Sequence, residues 1–186
     1  MLIVIAGAGN VGRAIARDLL KNGHEVTVID EDPDAIASAK KSGAKTVLAD
    51  ACEPDALDEA NLAKAQIVVA ATGDDKVNLV VSLLAKTEYG VPRVVGRVNH
   101  PKNEWLFNDA WGVDFSVSTP QMMTALVEEA VTVGELVRLF TLRQSGSDLL
   151  EVTLPSDSPV IGKKVGDVEW PIDTALVAIL RDKRVI

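Results

Sequence analysis

The chain has 186 residues, of which 47% are hydrophobic, and this apolar content excludes an intrinsically disordered chain. Its 19 basic and 27 acidic residues give a formal net charge of −8, which argues against a protein that binds the phosphate backbone of nucleic acids. The single cysteine, Cys52, excludes an intrachain disulfide framework and a cysteine-based zinc cluster, and it indicates a reducing compartment.

The first residues are expected to form a strand rather than a targeting segment. Met1 is followed by a short apolar run that ends in Gly7, without the basic region or the cleavage site of a signal peptide. No apolar run in the sequence approaches the roughly 20 residues that span a bilayer. We therefore expect any role at a membrane to depend on a partner.

Short runs rich in β-branched residues alternate with segments of helical periodicity over the first 118 residues. The expected strands are Leu2–Ala6, Val26–Ile29, Thr46–Leu48, Ile67–Ala71, Val94–Val98 and Phe115–Val117. The expected helices are a first one with Val11, Ile15, Leu19 and Leu20 on one face, and then Ala35–Lys41, Ala56–Ala63 and Asp74–Glu88. This alternation predicts an α/β fold, a doubly wound parallel (Rossmann) sheet with helices on both faces.

The pattern changes after residue 118. Thr119 and Pro120 are typical of a helix start, and apolar residues then occupy more than one helix face, which indicates burial against something beyond the sheet. Three further β-like segments follow, at Leu136–Leu142, Leu149–Leu154 and Ala175–Leu180. We therefore predict a Rossmann domain over residues 1–118, a crossover helix over 119–135, and a small α+β subdomain, expected to be truncated, over 136–186.

The segment Gly7–Gly12 reads Gly-x-Gly-x-x-Gly, and it follows a predicted strand and opens a predicted helix. Gly7 permits the tight turn, Gly9 allows the backbone to approach a pyrophosphate, and Gly12 allows the helix to pack closely. The free N–H groups and the dipole of the helix N-terminus favour negative charge at this point. The motif therefore predicts a site for the phosphates of a nucleotide.

An acidic residue, Asp30, ends the second predicted strand, 18 residues after Gly12. A carboxylate at this position accepts hydrogen bonds from an adenosine ribose and repels a 2′-phosphate. The pattern therefore favours NAD(H) or an unphosphorylated adenosine over NADP(H). The alternative is a glycine-rich turn followed by an Asp30 that caps the next helix.

Further candidates follow from the rule that open parallel sheets bind ligands at the carboxyl ends of their strands. Asp50 is suited to bind an adenine amine, or else it begins a turn. Thr72 and Gly73 are placed to meet a second ribose, although Thr72 or Asp74 is also suited to cap the next helix. Arg97 is a candidate for contact with a ligand phosphate or, alternatively, for a structural ion pair.

No catalytic constellation is evident. The only tyrosine, Tyr89, is followed by Arg93 where a Tyr-x-x-x-Lys pair requires lysine. We interpret His24 and His100 as turn and loop histidines rather than general bases. Cys52 is interpreted as structural, because no basic residue adjoins it in sequence.

Two other groups of residues are also interpreted as structural. One acidic group is a solvated helix face rather than a metal site; its members are Glu53, Asp55, Asp58 and Glu59. One aromatic group is a helix packing face rather than a platform for stacking bases; its members are Trp105, Phe107 and Trp111.

Taken in order, these segments resemble the cytosolic regulators of potassium transport of the Trk/Ktr or RCK type. The resemblance covers essentially the whole chain. Besides the glycine motif it is carried by Asn22–Asp30, Ala49–Ala51, Ala71–Asn78, Val95–Pro101 and Pro159–Lys163. The last of these segments is similar to the start of the family's C-terminal regulatory subdomain.

The resemblance implies a cytoplasmic subunit that binds NAD(H) or ATP/ADP, forms homodimers that assemble into a ring, and gates a separate membrane-embedded potassium transporter or channel subunit. It implies a role in nucleotide binding for three sets of residues. The phosphates would lie on Gly7, Gly9, Asn10, Val11 and Gly12; the ribose and adenine on Asp30, Asp50 and Ala51; the distal half on Thr72, Gly73 and Arg97.

Asn10 departs from part of the family. Some ATP-responsive members carry arginine at this position, where it meets the terminal phosphate, so Asn10 favours NAD(H) over ATP or ADP. Two alternatives stay open. One is an NAD-dependent oxidoreductase with a minimal substrate site, for which the sequence shows no acid/base partner. The other is a nucleotide-binding domain from a larger channel.

Overall fold

The structure is a computed structural model that describes residues 1–131, 136–142, 147–181 and 184–186. Six strands form a parallel sheet in the order β3-β2-β1-β4-β5-β6. They are β1 (Leu2–Ala6), β2 (Glu25–Asp30), β3 (Lys45–Leu48), β4 (Ile67–Ala70), β5 (Arg93–Val98) and β6 (Phe115–Ser118). The doubly wound parallel sheet predicted from the sequence is confirmed.

Four helices connect the strands from β1 to β5, and a fifth follows β6. They are α1 (Asn10–Lys21), α2 (Pro33–Lys41), α3 (Pro54–Glu59), α4 (Asp75–Thr87) and α5 (Thr119–Val131). Both α2 and α3 begin at a proline, whose fixed φ suits the first helical position and whose missing N–H is not needed there. Short 3-10 turns lie at Leu62–Lys64, Pro101–Leu106, Asp109–Trp111 and Val165–Asp167.

The core lies in two layers, one on each face of the sheet, because side chains alternate along each strand. In β1, Ile3 and Ile5 pack with residues of α1 and α2, whereas Val4 and Ala6 pack with residues of α3 and α4. All four are at most 1% exposed. Burial of an aliphatic side chain contributes roughly 1.5–3 kcal/mol, so the sheet is held from both faces.

The helix predicted over residues 56–63 is interrupted. Helix α3 ends at Glu59, and a separate 3-10 turn follows at Leu62–Lys64. Between them Asn61 has φ 58°, in the left-handed region, which a right-handed helix cannot continue. The apolar spacing across this break is therefore shared by two short elements.

The packing face predicted for the three aromatic residues is only partly correct. Phe107 is fully buried against Val113, and its ring lies where only the glycine at position 96 leaves room. Trp111 packs at the edge of this cluster, but Trp105 is 74% exposed. Trp105 and Trp111 lie in two separate 3-10 turns, with Phe107 between them, instead of in one α-helix, so the three side chains do not share a helix face.

Helix α5 begins at Thr119, and residues 132–135 of the predicted crossover helix lie outside the described residues. Ala125 is buried, but the larger apolar side chains of the helix are 46–59% exposed. They are Met122, Met123, Leu126 and Val127. The described part of the chain leaves this apolar face, called here the α5 face, uncovered.

Beyond α5 the chain forms two small antiparallel pairs, β7 (Leu136–Leu142) with β8 (Ser147–Val152) and β9 (Leu180–Arg181) with β10 (Arg184–Val185). The prediction for β7 is confirmed, and β8 lies two residues earlier than expected. The strand predicted over residues 175–180 is wrong, since only its last residue lies in a strand. Val177 is 79% exposed there, and apolar residues form a strand only where a neighbour bonds their backbone.

The division into parts at residues 118 and 135 stays a prediction.

Among the helices of the described chain, none combines the length and the apolar character that a crossing of the membrane requires.

Candidate functional site

The strand order reverses between β1 and β4, because the chain builds β2 and β3 on one side of β1 and later adds β4 on the other. The loops after β1 and β4 diverge at this point and leave a crevice, which is where open α/β sheets bind ligands. Every site residue predicted from the sequence lies at this carboxyl edge, at or after the ends of β1 to β5.

The three glycines of the motif differ in what surrounds them. A Cβ on Gly7, whose φ is 107°, would lie 2.8 Å from both Ala71 O and Thr72 N. A Cβ on Gly12 would overlap the carbonyl oxygen of Gly7. A Cβ on Gly9 would meet nothing within 4 Å, so the space beside Gly9 is open to a ligand.

The N-terminus of α1 has no side-chain cap and no acidic residue in its first turn. In contrast, Asp32 caps α2 and Asp74 caps α4. The first N–H groups of a helix have no partner within the helix. Those of α1 are therefore available to an anionic group beside Gly9.

Arg13, in the first turn of α1, contacts the glycine loop and was missed by the sequence reasoning. Its Nη1 donates to Ala8 O, and its Nη2 donates to Asn10 Oδ1 at 2.7 Å. The sequence feature that could have indicated this contact is the position of Arg13 three residues after Asn10, on the same helix face. Arg13 places a positive charge beside the uncapped N-terminus and holds the side chain of Asn10.

Asp30 joins the end of β2 to the glycine loop. Its Oδ2 accepts the N–H of Ala8 at 2.5 Å, and its Oδ1 accepts the N–H of Asp32 at 2.9 Å. The alternative that Asp30 caps α2 is wrong, because Asp32 accepts the N–H of Asp34 as the cap. Each carboxylate oxygen accepts more than one hydrogen bond, so Asp30 can still accept from ribose hydroxyls.

Asp50 begins a turn after β3, as its alternative interpretation stated. Its Oδ1 accepts the N–H of Cys52 at 2.8 Å, while Ala51 between them is buried. Burial raises the pKa of the Cys52 thiol to about 11, and the negative charge of Asp50 acts in the same direction. Cys52 is therefore protonated at neutral pH, which favours its structural interpretation.

Thr72 lies in the loop after β4, held by a buried side chain that the sequence reasoning assigned no role. Asn78 Oδ1 accepts from Thr72 N at 2.9 Å and from Thr72 Oγ1 at 2.7 Å. Of the two residues suited to cap α4, Asp74 does so, accepting the N–H of Lys76. A Cβ on Gly73 would meet nothing within 4 Å, so no protein atom fills the space beside this residue.

Arg97 lies near the end of β5, and its Nε is buried without a hydrogen-bond partner among the described residues. No ion pair of Arg97 is found in the described part of the chain. By strand alternation Arg97 shares the sheet face of Val95, as Asp30 shares that of Val28, and this is the face on which α1 and α2 pack. Asp30 and Arg97 are three strand spacings apart, about 14 Å.

His100 and Asp75 anchor the segment after β5. His100 Nδ1 accepts the N–H of Lys102, consistent with its interpretation as a loop histidine. Asp75, 7% exposed, accepts hydrogen bonds from Asn99, His100 and Asn103. Burial raises the pKa of Asp75, but these hydrogen bonds outweigh it and leave the pKa below its ordinary value.

A cavity of about 330 Å³ lies at the opposite edge of the sheet, at the amino ends of β1 to β3. Two of its four charged side chains, Glu25 and Lys45, pair with each other at 3.3 Å and are 70% and 73% exposed. The glycine motif does not line it, and we therefore assign the functional site to the carboxyl edge. Within the described residues, no cluster of three or more histidines, cysteines or acidic residues is placed to hold a metal ion.

Comparison with known proteins identifies the family. The family model described as the TrkA-N domain matches residues 3–119. The Trk system potassium uptake protein TrkA of Mycobacterium tuberculosis (strain H37Rv) is 55% identical over 186 residues, which are all of this chain and 84% of that protein. The chain belongs to the TrkA family. A TrkA homolog of Methanothermobacter thermautotrophicus is 32% identical over 181 residues, 97% of this chain and 82% of that protein.

Solved structures share the fold of this TrkA-family chain. The GsuK channel bound to NAD has a TM-score of 0.66 at 19% identity, over 74% of this chain and 25% of that one. The AMP-bound Kef CTD of Shewanella denitrificans has a TM-score of 0.62 at 22% identity, over 70% of this chain and 79% of that one. GsuK bound to ADP has a TM-score of 0.60 at 26% identity, over 69% of this chain and 33% of that one.

Proposed function

We propose that this TrkA-family chain is a nucleotide-sensing regulatory subunit of a potassium uptake system. One observation carries the nucleotide site: the uncapped N-terminus of α1 lies beside the open space at Gly9, in the crevice between β1 and β4. Its first N–H groups and the nearby guanidinium of Arg13 suit an anionic ligand. The potassium link rests on the family's relatives, which are named as potassium uptake proteins.

We propose NAD(H) as the ligand, with ATP or ADP as the second candidate. Asp30 would accept from the adenosine ribose, the glycine loop would hold the phosphates, and Thr72, Gly73 and Arg97 would meet the distal half. The distance of about 14 Å from Asp30 to Arg97 suits a ligand that continues well beyond its first phosphate. The related folds that bind NAD, AMP and ADP support an adenosine nucleotide as the class of ligand.

In this proposal the chain acts by changing shape rather than by catalysis. A ligand shifts a conformational equilibrium only by its different affinities for the two states. The α5 face would form a homodimer, and homodimers would assemble into a ring. The ring would dock on the cytoplasmic side of a membrane-embedded potassium transporter or channel subunit and gate it. The net charge of −8 makes nucleic acid an unsuitable partner.

Calorimetric titration with NADH, NAD⁺, NADPH, ATP and ADP, with light scattering on each mixture, tests the nucleotide site. We expect micromolar binding of NADH or ATP without turnover, together with a change in assembly or shape. Gly9→Asp should abolish binding, since it fills the open space and adds a negative charge. Gly166→Asp is the matched control, because a Cβ there also meets nothing within 4 Å.

Two outcomes of the titration would contradict the proposal. Binding by none of the five nucleotides would remove the proposed site. Steady oxidation of NADH with a small carbonyl substrate, lost in Gly9→Asp, would favour the oxidoreductase alternative.

The dimer is tested separately by placing charges on the α5 face. Met123→Glu combined with Leu126→Glu should yield monomers in light scattering, because burying two carboxylates in an apolar interface is costly. Ile172→Glu combined with Val177→Glu is the control, since those side chains are 93% and 79% exposed. Dimers that persist in the first double variant would mean that α5 is not the interface.

The gating role requires the membrane subunit. In cells that lack their own regulatory subunit, the unmodified chain should restore potassium uptake, whereas Gly9→Asp should not. Equal restoration by both would separate potassium uptake from nucleotide binding and contradict the sensor.

A further inference from the structure

Asn78 is a buried side chain at the crevice whose polar atoms are all hydrogen-bonded. It lies in the first turn of α4 and is 0% exposed. Its Oδ1 accepts from Thr72 N and Thr72 Oγ1, and its Nδ2 donates to Thr72 O at 3.3 Å and to Arg97 O at 2.9 Å. Two accepted and two donated bonds use the full capacity of a carboxamide.

All four of these bonds end on the two strand ends that form the far side of the crevice. Three go to Thr72, so its N–H, its carbonyl and its hydroxyl are bound by one side chain. The fourth goes to the carbonyl of Arg97, on the neighbouring strand. Asn78 therefore holds the ends of β4 and β5 at one separation.

Ser82 provides a contrast one turn further along the same helix. It is also 0% exposed, but its hydroxyl donates to Asn78 O within α4 itself. Ser82 thus satisfies its own polarity without contacting a strand end. A buried polar residue in this helix does not by itself need the crevice, so the bonds of Asn78 point to a role there.

The residue held by the fourth bond carries an unsatisfied group. Arg97 Nε is buried without a hydrogen-bond partner among the described residues. A buried donor without a partner costs free energy, and a ligand that supplies an acceptor would recover it. The backbone of Arg97 is fixed by Asn78, while its side chain retains a donor for that ligand.

We propose that Asn78 is a positioning residue for the distal half of the nucleotide, acting through Thr72 and Arg97 and not touching the ligand. The inference rests on the proposed nucleotide site. It predicts a split between ligands. NADH extends to the β4–β5 side and depends on Asn78, whereas AMP is held by Asp30 and the glycine loop and does not.

The test compares Asn78→Ala with Ser82→Ala, by calorimetry with NADH and AMP and by urea unfolding of each variant. If ATP proves the tighter ligand of the unmodified chain, it replaces NADH. Loss of one well-placed hydrogen bond corresponds to about a tenfold change in Kd. We expect Asn78→Ala to raise the Kd for NADH by about that factor, and the Kd for AMP by less than about twofold. Ser82→Ala should change neither Kd, even where it lowers stability.

Asn78→Asp gives the same comparison with an isosteric side chain, should the alanine variant not fold. It keeps the acceptor for Thr72 N and loses the donors to Thr72 O and Arg97 O. Hydrogen exchange on the unmodified chain needs no variant. NADH should slow exchange over residues 72–74 and 97–99 more than AMP does, whereas equal protection by both would overturn the inference.

The possible outcomes distinguish failure of the positioning role from failure of the proposed nucleotide site. If the unmodified chain binds none of the nucleotides, the proposed function fails. If it binds them and Asn78→Ala weakens NADH and AMP equally, or neither, Asn78 is structural and the positioning role is overturned.

Discussion

The two sides of the crevice are built in different ways. On the β1–β2 side the backbone itself forms the surface, because Gly9 leaves space and the first N–H groups of α1 have no cap. On the β4–β5 side two buried side chains, Asn78 and Asp75, bind the backbone of the loops and hold them in place.

The difference shows two solutions to the same problem. A phosphate needs close approach to N–H groups, and only the absence of side chains permits it. The more varied distal half of a ligand needs loops of a defined shape. Buried carboxamides and carboxylates fix that shape by hydrogen bonds to the loop backbone. The first side should therefore be sensitive to added atoms, and the second to lost hydrogen bonds.

Gly12→Ala should give the largest effect, on the first side. Its Cβ would overlap the carbonyl oxygen of Gly7, so α1 must move away from the loop. We expect a loss of about 3 kcal/mol in the free energy of unfolding, the upper range for overpacking. Gly9→Ala is the control and should cost far less, because its Cβ meets nothing. Equal urea midpoints for the two variants would contradict this account.

Asp75→Asn should give the next largest effect, on the second side. The NH2 group of asparagine would face N–H donors, either both donors of Asn99 or those of His100 and Asn103, and this loss should cost about 2 kcal/mol at pH 7. The pKa of Asp75 is lowered in the folded protein, so its stabilisation is present above its ordinary value of 3.8 and is lost as the pH falls through the lowered value.

The same variant has a signature in its pH dependence. Urea midpoints measured from pH 7 into the acid range should fall less steeply in Asp75→Asn than in the unmodified chain. Parallel curves would mean that Asp75 titrates alike in the folded and unfolded states.

Asp30→Ala should give a smaller effect on binding, besides the stability lost with the acceptor for Ala8 N and Asp32 N. Without the carboxylate, NADH affinity should fall by about tenfold, as for one charged hydrogen bond, and discrimination against NADPH should relax. Asp30→Asn keeps one acceptor oxygen for Ala8 N, so its NADH affinity should lie between those of the unmodified chain and Asp30→Ala. An unchanged NADH/NADPH ratio in calorimetry would mean that Asp30 faces away from the ribose.

Asp50→Asn should give the smallest effect, on the reactivity of Cys52. After burial, the charge of Asp50 is the next cause that raises the pKa of this thiol to about 11. Removing that charge should lower the pKa and speed alkylation at pH 8.5, by less than about tenfold because burial remains. A rate identical to that of the unmodified chain would mean that burial and the charge of Asp74 suffice to raise the pKa.

The two sides also differ in how far they could be predicted. The glycine motif was predictable because its residues act on their own backbone within six positions of each other. Asn78 also binds Arg97 O, 19 residues away on β5, and Asp75 binds groups 24 to 28 residues away in the segment after β5. Polar residues in the first turn of a helix are common, and their sequence context does not distinguish a buried one.

Arg13 and residues 175–180 are two further cases in which the sequence did not reveal the contacts: Arg13 makes contacts that were not expected, and all but the last of residues 175–180 lack the strand pairing that was expected. Arg13 was assigned no role from the sequence, yet it bonds the loop that precedes it. Residues 175–180 have the composition of a strand, yet only Leu180 lies in one. In both cases a contact partner decides the outcome, and composition does not reveal the partner.

The sequence by itself determined the alternation of strands and helices, the parallel sheet and the position of the glycine loop, because periodicity and glycine spacing act locally. Only the tertiary structure decided that Asn78 holds two strand ends and that Arg97 Nε has no partner among the described residues. These facts depend on which groups meet across the sheet, and hydrogen bonds between distant residues form only once packing has placed them.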